Sequence, residues 1–210
     1  MENIKGKILL VEGKDDEHVV VHLCILHAIE ETFEIESCEG IEKLLESFPR
    51  RLMESEVKVV GTLVDANADI QARWDSLRNH LNPAGYPSVP ASPVRGGFIA
   101  EPPPNTLLPR VGIWVMPDNS TGGTLEDFLR FLVKEENRPL LKHARNSIDS
   151  IPDGQRLFGE NDDTKALLHT WLAWQAEPGN PFGTAIKARY LDADVPEAVD
   201  FVGWLRRLFS

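Results

Sequence analysis

Acidic side chains follow two apolar segments of this chain. Glu12 comes directly after the apolar run of LLVEGKDD, and Asp65 ends the apolar run of TLVDANAD. Asn67 and Asp69 follow Asp65 at intervals of two residues, so the three side chains share one side if the backbone stays extended. Carboxylate and amide oxygens are the ligands that hard cations such as Mg²⁺ and Mn²⁺ prefer. The spacing therefore predicts a divalent-cation site.

Some of these acidic residues have a second interpretation as helix caps. Asp69 is a suitable N-cap for a helix that starts at Ile70, and Asp15 or Asp16 for the helix that follows Glu12. Glu12 neither caps a helix nor lies on a solvated face, and an unpaired carboxylate beside a buried strand is costly. A bound cation would compensate for that cost.

The segments that must position these side chains alternate between strand and helix patterns. We predict strands at residues 7–11, 33–38, 57–66 and 110–116, and a short one at GFIA. We predict helices at residues 16–29, 41–53, 70–81, 124–136, 139–149, 164–176, 182–190 and 196–208. The β-α-β-α-β-α order at the start favours a parallel sheet, in which the strands' carboxyl ends gather ligands.

The chain divides into two predicted parts. Residues 1–136 are expected to form the α/β core, interrupted by a proline-rich insertion at residues 82–110. Such a long irregular loop is usually functional or mobile. Residues 137–210 are expected to form a helical C-terminal extension that packs on this core.

LLVEGKDD and TLVDANAD, about 50 residues apart, resemble the Toprim domain of topoisomerases, primases and recombination proteins. Its pattern is a glutamate that ends the first strand and Asp-x-Asp that ends the third, and the resemblance covers roughly residues 5–135. The whole chain resembles more closely a stand-alone Toprim family related to the OLD-type nucleases. Its downstream marks are WVMPDNSTGGTLEDFL and TKALLHTWLAWQAEPGNPFGTAIKA.

The resemblance implies a Toprim-like, Rossmann-like fold and a set of site residues. Glu12 would be the general acid/base or a metal ligand, and Asp65 a metal ligand. Asn67 stands where the pattern has its second aspartate, which keeps an oxygen donor and loses a charge. Asp69 would then substitute for it, or metal affinity would be reduced, or catalysis would have lapsed.

Two residues further along the chain complete the implied site. Glu126 is the candidate for the additional acid of a two-metal site, whereas Asp127 stands at capping-box spacing from Thr124. Lys165 occupies a place comparable to that of a lysine near the metals of OLD-type nucleases, where a cation offsets charge on a phosphoryl transition state. The alternative is a solvated lysine in the first turn of a helix.

Composition limits the partners of this chain. Its 33 acidic and 22 basic residues give a net charge of -11, which repels polyphosphate unless bound cations or a local basic patch reverse the sign. No apolar run approaches the roughly 20 residues that span a bilayer, so we expect no membrane association. Cys24 and Cys38 form no CxxC pair and are expected to be reduced thiols in the cytoplasm.

The sequence is compatible with two functions. The first is a Mg²⁺- or Mn²⁺-dependent phosphodiester hydrolase, a nuclease, in which Glu12, Asp65, Asp69 and Glu126 position the metal ions. The second is a non-catalytic Toprim-fold module that binds a protein or nucleic acid within a defence or repair system, which Asn67 and the acidic surface favour. A zinc site at His18 and His22 is disfavoured because no third ligand is evident nearby.

Overall fold

The computed structural model describes residues 5–210 and shows an α/β fold with a five-stranded, mostly parallel sheet flanked by helices. The strands are β1 (Lys7–Val11), β2 (Glu34–Ser37), β3 (Val59–Asp65), β4 (Phe98–Ala100) and β5 (Arg110–Met116). Their order in the sheet is β2-β1-β3-β5-β4, and only β4 runs antiparallel to its neighbour. All five strands predicted from the sequence are therefore confirmed, with ends that differ by a few residues.

The helices follow the predicted order. They are α1 (Lys14–Leu26), α2 (Ile41–Met53), α3 (Ile70–Ala84), α4 (Leu125–Phe131), α5 (Arg138–Asp149), α6 (Asp163–Leu172), α7 (Phe182–Lys187) and α8 (Pro196–Phe209). Short 3₁₀ turns lie at Glu135–Asn137 and Glu160–Asp162. The helix predicted at residues 124–136 was wrong in length, because the chain leaves the α conformation after Phe131 and turns before α5.

The predicted cap of α1 was wrong. The N-cap is Gly13, and Asp15 and Asp16 lie in the first turn of the helix. Asp16 instead accepts a hydrogen bond at Oδ2 from the Gly13 N–H at 2.9 Å. A carboxylate in the first turn satisfies a backbone N–H that the helix itself leaves without a partner.

Alternate side chains of the strands enter two separate cores, as the pleat of a sheet requires. Leu9, Leu63 and Trp114 face the core shared with α1, α4 and α5–α8. Leu10 and Val60 face the core under α2 and α3. Because both faces are covered, the inner strands β1, β3 and β5 are apolar along nearly their whole length and most of their polar residues lie at the ends.

The C-terminal helices belong to the first of these cores. Leu208 of α8 packs so closely on the sheet that a Cβ at Gly61 or Gly112 would lie 2.9 or 2.5 Å from one of its methyl carbons. Trp204 of the same helix donates a hydrogen bond from Nε1 to the Phe98 carbonyl at 3.1 Å. Residues 137–210 thus cover one face of the sheet that residues 5–136 form.

Within residues 5–210, no helix is both long enough and apolar enough to cross a bilayer. Cys24 and Cys38 are both free thiols, so the expectation of unpaired cysteines is confirmed.

Candidate functional site

The carboxyl ends of β1 and β3 meet at one edge of the sheet. The two strands are adjacent and parallel, with Val11 beside Leu63. Glu12 therefore follows β1 where β3 ends at Asp65, and Glu12 Oε1 accepts a hydrogen bond from the Asp65 N–H at 2.8 Å. The acid that ends one strand is thereby fixed to the backbone of the acid that ends the next.

Asp65 is held by contacts to two helices. Its Oδ1 accepts a hydrogen bond at 2.8 Å from the N–H of Leu125, the first residue of α4. Arg73 of α3 donates from Nε to the Asp65 carbonyl, also at 2.8 Å. Neither Glu12 Oε2 nor Asp65 Oδ2 accepts a hydrogen bond from any described residue, so one oxygen of each acid is free for a ligand.

Asp16 is a third acid at this edge, and the sequence interpretation missed it as a site residue. It is only 7% exposed and is bound to the Gly13 N–H, which places it beside Glu12 at the start of α1. The signal that could have identified it is its place three residues after Gly13, because a carboxylate there turns back to the N-cap N–H and so lies next to the end of β1.

Glu126 lies in the first turn of α4, and Lys165 lies in the first turn of α6. Lys165 Nζ lies 3.5 Å from Glu126 Oε1 and 3.8 Å from Asp15 Oδ2. Glu126 is 12% exposed and also accepts a hydrogen bond from Thr124 Oγ1 at 2.8 Å. The lysine thus partly neutralises two carboxylates. A fully solvated lysine in the first turn of α6 would make neither contact.

Asp127 fixes α6, which carries Lys165, to the start of α4. Its Oδ2 accepts the Thr124 N–H at 3.1 Å, so the capping role expected for Asp127 is confirmed. Its Oδ1 accepts the Thr164 hydroxyl, also at 3.1 Å. Because Thr164 precedes Lys165, this contact sets the position of the lysine relative to Glu126.

These residues line an open pocket of about 380 Å³. The lining residues come from the ends of β1 and β3 and the starts of α1, α2, α4 and α6. They are Glu12, Gly13, Lys14, Asp15, Asp16, Glu39, Gly40, Asp65, Leu125, Glu126 and Lys165. We call this cavity the strand-end pocket.

Burial and mutual repulsion disfavour the charged forms of the acids in this pocket. Burial raises the pKa of Glu12, although the hydrogen bond from Asp65 and the charge of Arg73 partly oppose it. Burial, followed by the charges of Asp16, Glu12 and Glu126, raises the pKa of Asp65 well above its ordinary value. Burial is also the largest cause that raises the pKa of Asp16 to about 7. A cation in the pocket would relieve this repulsion.

Asn67 and Asp69 do not line the strand-end pocket. Asp69 caps α3 by accepting the Ala72 N–H at 2.9 Å, so its predicted capping role is confirmed. The backbone is not extended here: Asn67 has φ of 52°, and the side chain is exposed. Its N–H and carbonyl pair with Gly123 at 2.8 Å each, which holds the loop before α4 against the end of β3.

The donor set fits a hard divalent cation in its chemistry. Glu12, Asp65, Asp16 and Glu126 offer carboxylate oxygens, the ligand type of Mg²⁺ and Mn²⁺, and the open pocket leaves room for the waters that Mg²⁺ retains. Within residues 5–210, however, no three His, Cys, Asp or Glu side chains are already arranged around one ligand position. A cation would therefore be held by few protein ligands plus water, or would draw the acids together.

A family model described as "Protein of unknown function (DUF3226)" matches residues 6–210 of the chain. No curated protein and no solved structure matches it significantly.

Proposed function

We propose that this chain, which belongs to the DUF3226 family, is a Mg²⁺- or Mn²⁺-dependent phosphodiester hydrolase of Toprim type that acts on nucleic acid. The observation that carries the proposal is the convergence of Glu12, Asp16, Asp65 and Glu126 in one open pocket, with the ammonium of Lys165 beside Glu126. The Toprim-like pattern of LLVEGKDD and TLVDANAD supports the same reading. The reduced thiols of Cys24 and Cys38 fit action in the cytoplasm.

Glu12 and Asp65 are the residues that would hold the cation. Each keeps one oxygen without a protein partner among the described residues, while the other is fixed by a backbone N–H. When bound, a divalent cation lowers the pKa of a coordinated water and stabilises the leaving oxygen of a phosphodiester. Glu12 also has a raised pKa, which suits a group that takes up a proton from the attacking water.

Lys165 would act on the phosphoryl group. Its side chain is 45% exposed, so an anionic phosphodiester can approach its ammonium at a pocket that is lined mainly by acids. A positive charge there offsets the negative charge that develops on the phosphoryl oxygens. The link between Thr164 and Asp127 keeps that charge beside Glu126.

A non-catalytic binding module is the second candidate. Two observations favour it. Asn67 lacks the negative charge that the Toprim pattern has at this position, and the Asp69 carboxylate already caps α3. If both stay outside the pocket, the positions of the Toprim pattern supply two carboxylates, Glu12 and Asp65, where the pattern itself has three. Such a module would bind its partner equally well in the presence of EDTA.

The two candidates are separated by a hydrolysis assay. Labelled single-stranded DNA, duplex DNA and RNA are incubated with the protein in Mn²⁺, Mg²⁺ or EDTA. We expect cleavage of at least one substrate in metal, none in EDTA, and a loss of at least about a hundredfold in Asp65→Asn. Asp69→Asn is the matched control, because asparagine also caps helices and position 69 lies outside the pocket. Metal-independent binding without cleavage would favour the module.

A further inference from the structure

A second cavity, with different chemistry, lies beside the outermost strand of the sheet. This groove has a volume of about 440 Å³ and shares no lining residue with the strand-end pocket. Its apolar lining comes from α1, the turn after it and β2: Val21, Cys24, Ile25, Ile29, Phe33 and Ile35. We call it the edge groove.

Two apolar side chains of the edge groove are unusually open to solvent. Ile25 is 63% exposed and Val21 is 37% exposed, and both lie on the face of α1 that borders the groove. Single exposed apolar residues are normal on protein surfaces. Here they adjoin a concave apolar surface, which is the arrangement found at binding sites.

The rim of the edge groove is acidic. Glu17, Glu30, Glu31 and Glu34 line it together with the apolar residues. Glu17 is paired with Lys14 at 2.6 Å, whereas the other three form no salt bridge with any residue in the described part of the chain. The rim therefore carries a surplus of about three negative charges, which attracts a basic partner and repels an acidic one.

Among residues 5–210, no strand pairs with the outer edge of the adjoining strand. β2 is the first strand in the sheet order and is paired there with β1 only. The Cys38 N–H is directed to the Val11 carbonyl, so the alternation of a parallel ladder turns the backbone groups of Ile35 and Ser37 outward. An extended segment laid beside β2 would pair with these groups, and its side chains on the α1 side would enter the groove.

A second copy of this chain fits poorly as the occupant. Another copy would bring its own Glu30, Glu31 and Glu34 against the same acidic rim, whereas Glu36 of β2 is already paired with Arg51. Charges on an edge strand are a known means of preventing self-association. A nucleic acid is disfavoured for the same electrostatic reason.

We propose that the edge groove binds an extended, basic segment of a partner protein, which adds to the sheet beside β2. Its side chains on the α1 side would be apolar and fill the space between Val21, Ile25 and Ile35, and Lys or Arg residues at its ends would face Glu30, Glu31 and Glu34. This inference does not depend on the activity proposed for the strand-end pocket, which shares no lining residue with the groove.

Binding of three labelled eight-residue peptides tests the proposal. The first (Arg/Val) has an alternating Val-Ser stretch with two Arg at each end, the second (Glu/Val) has Glu in place of Arg, and the third (Arg/Ser) has Ser in place of Val. We expect saturable binding of the Arg/Val peptide, with affinity at least about tenfold above that of either control peptide, because the site requires both charge and apolar contact. Fluorescence anisotropy at two salt concentrations measures the affinities.

Matched variants locate the binding. Glu30→Lys with Glu31→Lys, and separately Ile25→Asn, should each weaken the Arg/Val peptide at least tenfold. The pair Glu135→Lys with Glu136→Lys is the control, since these are also adjacent exposed glutamates but lie outside the groove. Equal binding of the Arg/Ser peptide, equal loss in both charge-reversed pairs, or absence of saturation would each overturn the proposal. A dimer in sedimentation that Ile25→Asn dissociates would overturn it in favour of a second copy.

Discussion

Glu12 Oε1 accepts a hydrogen bond from the Asp65 N–H at 2.8 Å, across 53 positions of sequence. This contact joins the ends of the adjacent strands β1 and β3 and leaves the Glu12 carboxylate fixed and half-buried. A fixed carboxylate that repels its neighbours lowers the stability of the folded protein, and such destabilising arrangements are typical of functional sites.

Substitutions of Glu12 separate its charge from its hydrogen bond. Glu12→Gln keeps an oxygen that accepts the Asp65 N–H and removes the repulsion with Asp65 and Asp16, so stability in EDTA should stay equal or rise. Glu12→Ala leaves a partly buried N–H without its partner and should cost about 1–3 kcal/mol. Urea denaturation midpoints of the three proteins check this. A Glu12→Gln variant that is destabilised as strongly as Glu12→Ala would show that the charge itself is stabilising.

Divalent cations should stabilise the folded protein. A cation that binds only the folded state adds about 2.7 kcal/mol at a concentration one hundred times its Kd, and here it also relieves repulsion among the acids. We expect Mn²⁺ to raise Tm in the wild type and in Asp69→Asn, and to leave Tm of Asp65→Asn nearly unchanged. Equal shifts in all three proteins would remove the strand-end pocket as the cation site.

The metal-free protein should lose stability as pH rises. Burial raises the pKa of Asp16 to about 7, whereas its ordinary value is 3.8. The folded state therefore keeps a proton that the unfolded state releases. The contribution of this proton to the free energy of unfolding is fully present below pH 4. It is lost between pH 4 and pH 7, and the loss is on the order of 4 kcal/mol.

Thermal unfolding in EDTA across that pH range measures the effect. Asp16→Asn has no proton to lose, so its pH dependence should be flatter than that of the wild type. A wild-type stability that rises steadily from pH 4 to pH 7 would contradict the burial of uncompensated acids in the pocket.

Asn67 provides a test of the ligand set. The sequence predicts it as a metal ligand, in which case Asn67→Asp should tighten binding by adding a charge. The structure places its side chain outside the pocket lining, in a residue with φ of 52°. From that placement we expect the Mn²⁺ affinity in a calorimetric titration to change less than about twofold, because solvent and salt screen an exposed charge that does not contact the cation. A larger gain would show that the loop brings position 67 to the cation.

Lys165 should affect hydrolysis without supporting cation binding. Lys165→Met removes a positive charge beside Glu126 and Asp15, so Mn²⁺ should bind with equal or greater affinity. Hydrolysis should fall by at least about tenfold because the phosphoryl charge is no longer offset. Lys165→Arg should restore part of the rate. A variant with full activity would reduce Lys165 to a surface residue of α6.

The sequence predicted the sheet and the meeting of Glu12 with Asp65, because apolar runs and a β-α-β order determine which strand ends lie together. It could not predict the positions of Asn67 and Asp69, since the extended backbone assumed there is broken by a turn that the Gly123 backbone stabilises. Asp16 was missed because an aspartate near the start of a helix is typical of an ordinary cap. The edge groove was also missed, since it depends on the path of the turn between α1 and β2.

The rate of Glu12→Gln tests metal-dependent hydrolysis at the strand-end pocket. The variant retains the volume of the side chain and an acceptor for the Asp65 N–H, and loses the charge that would hold a cation or take up a proton. In Mn²⁺, on whichever nucleic acid the wild type cleaves, we expect its rate to fall by at least about a hundredfold. Its denaturation midpoint in EDTA should match or exceed that of the wild type. A Glu12→Gln protein that cleaves at the wild-type rate would contradict the account.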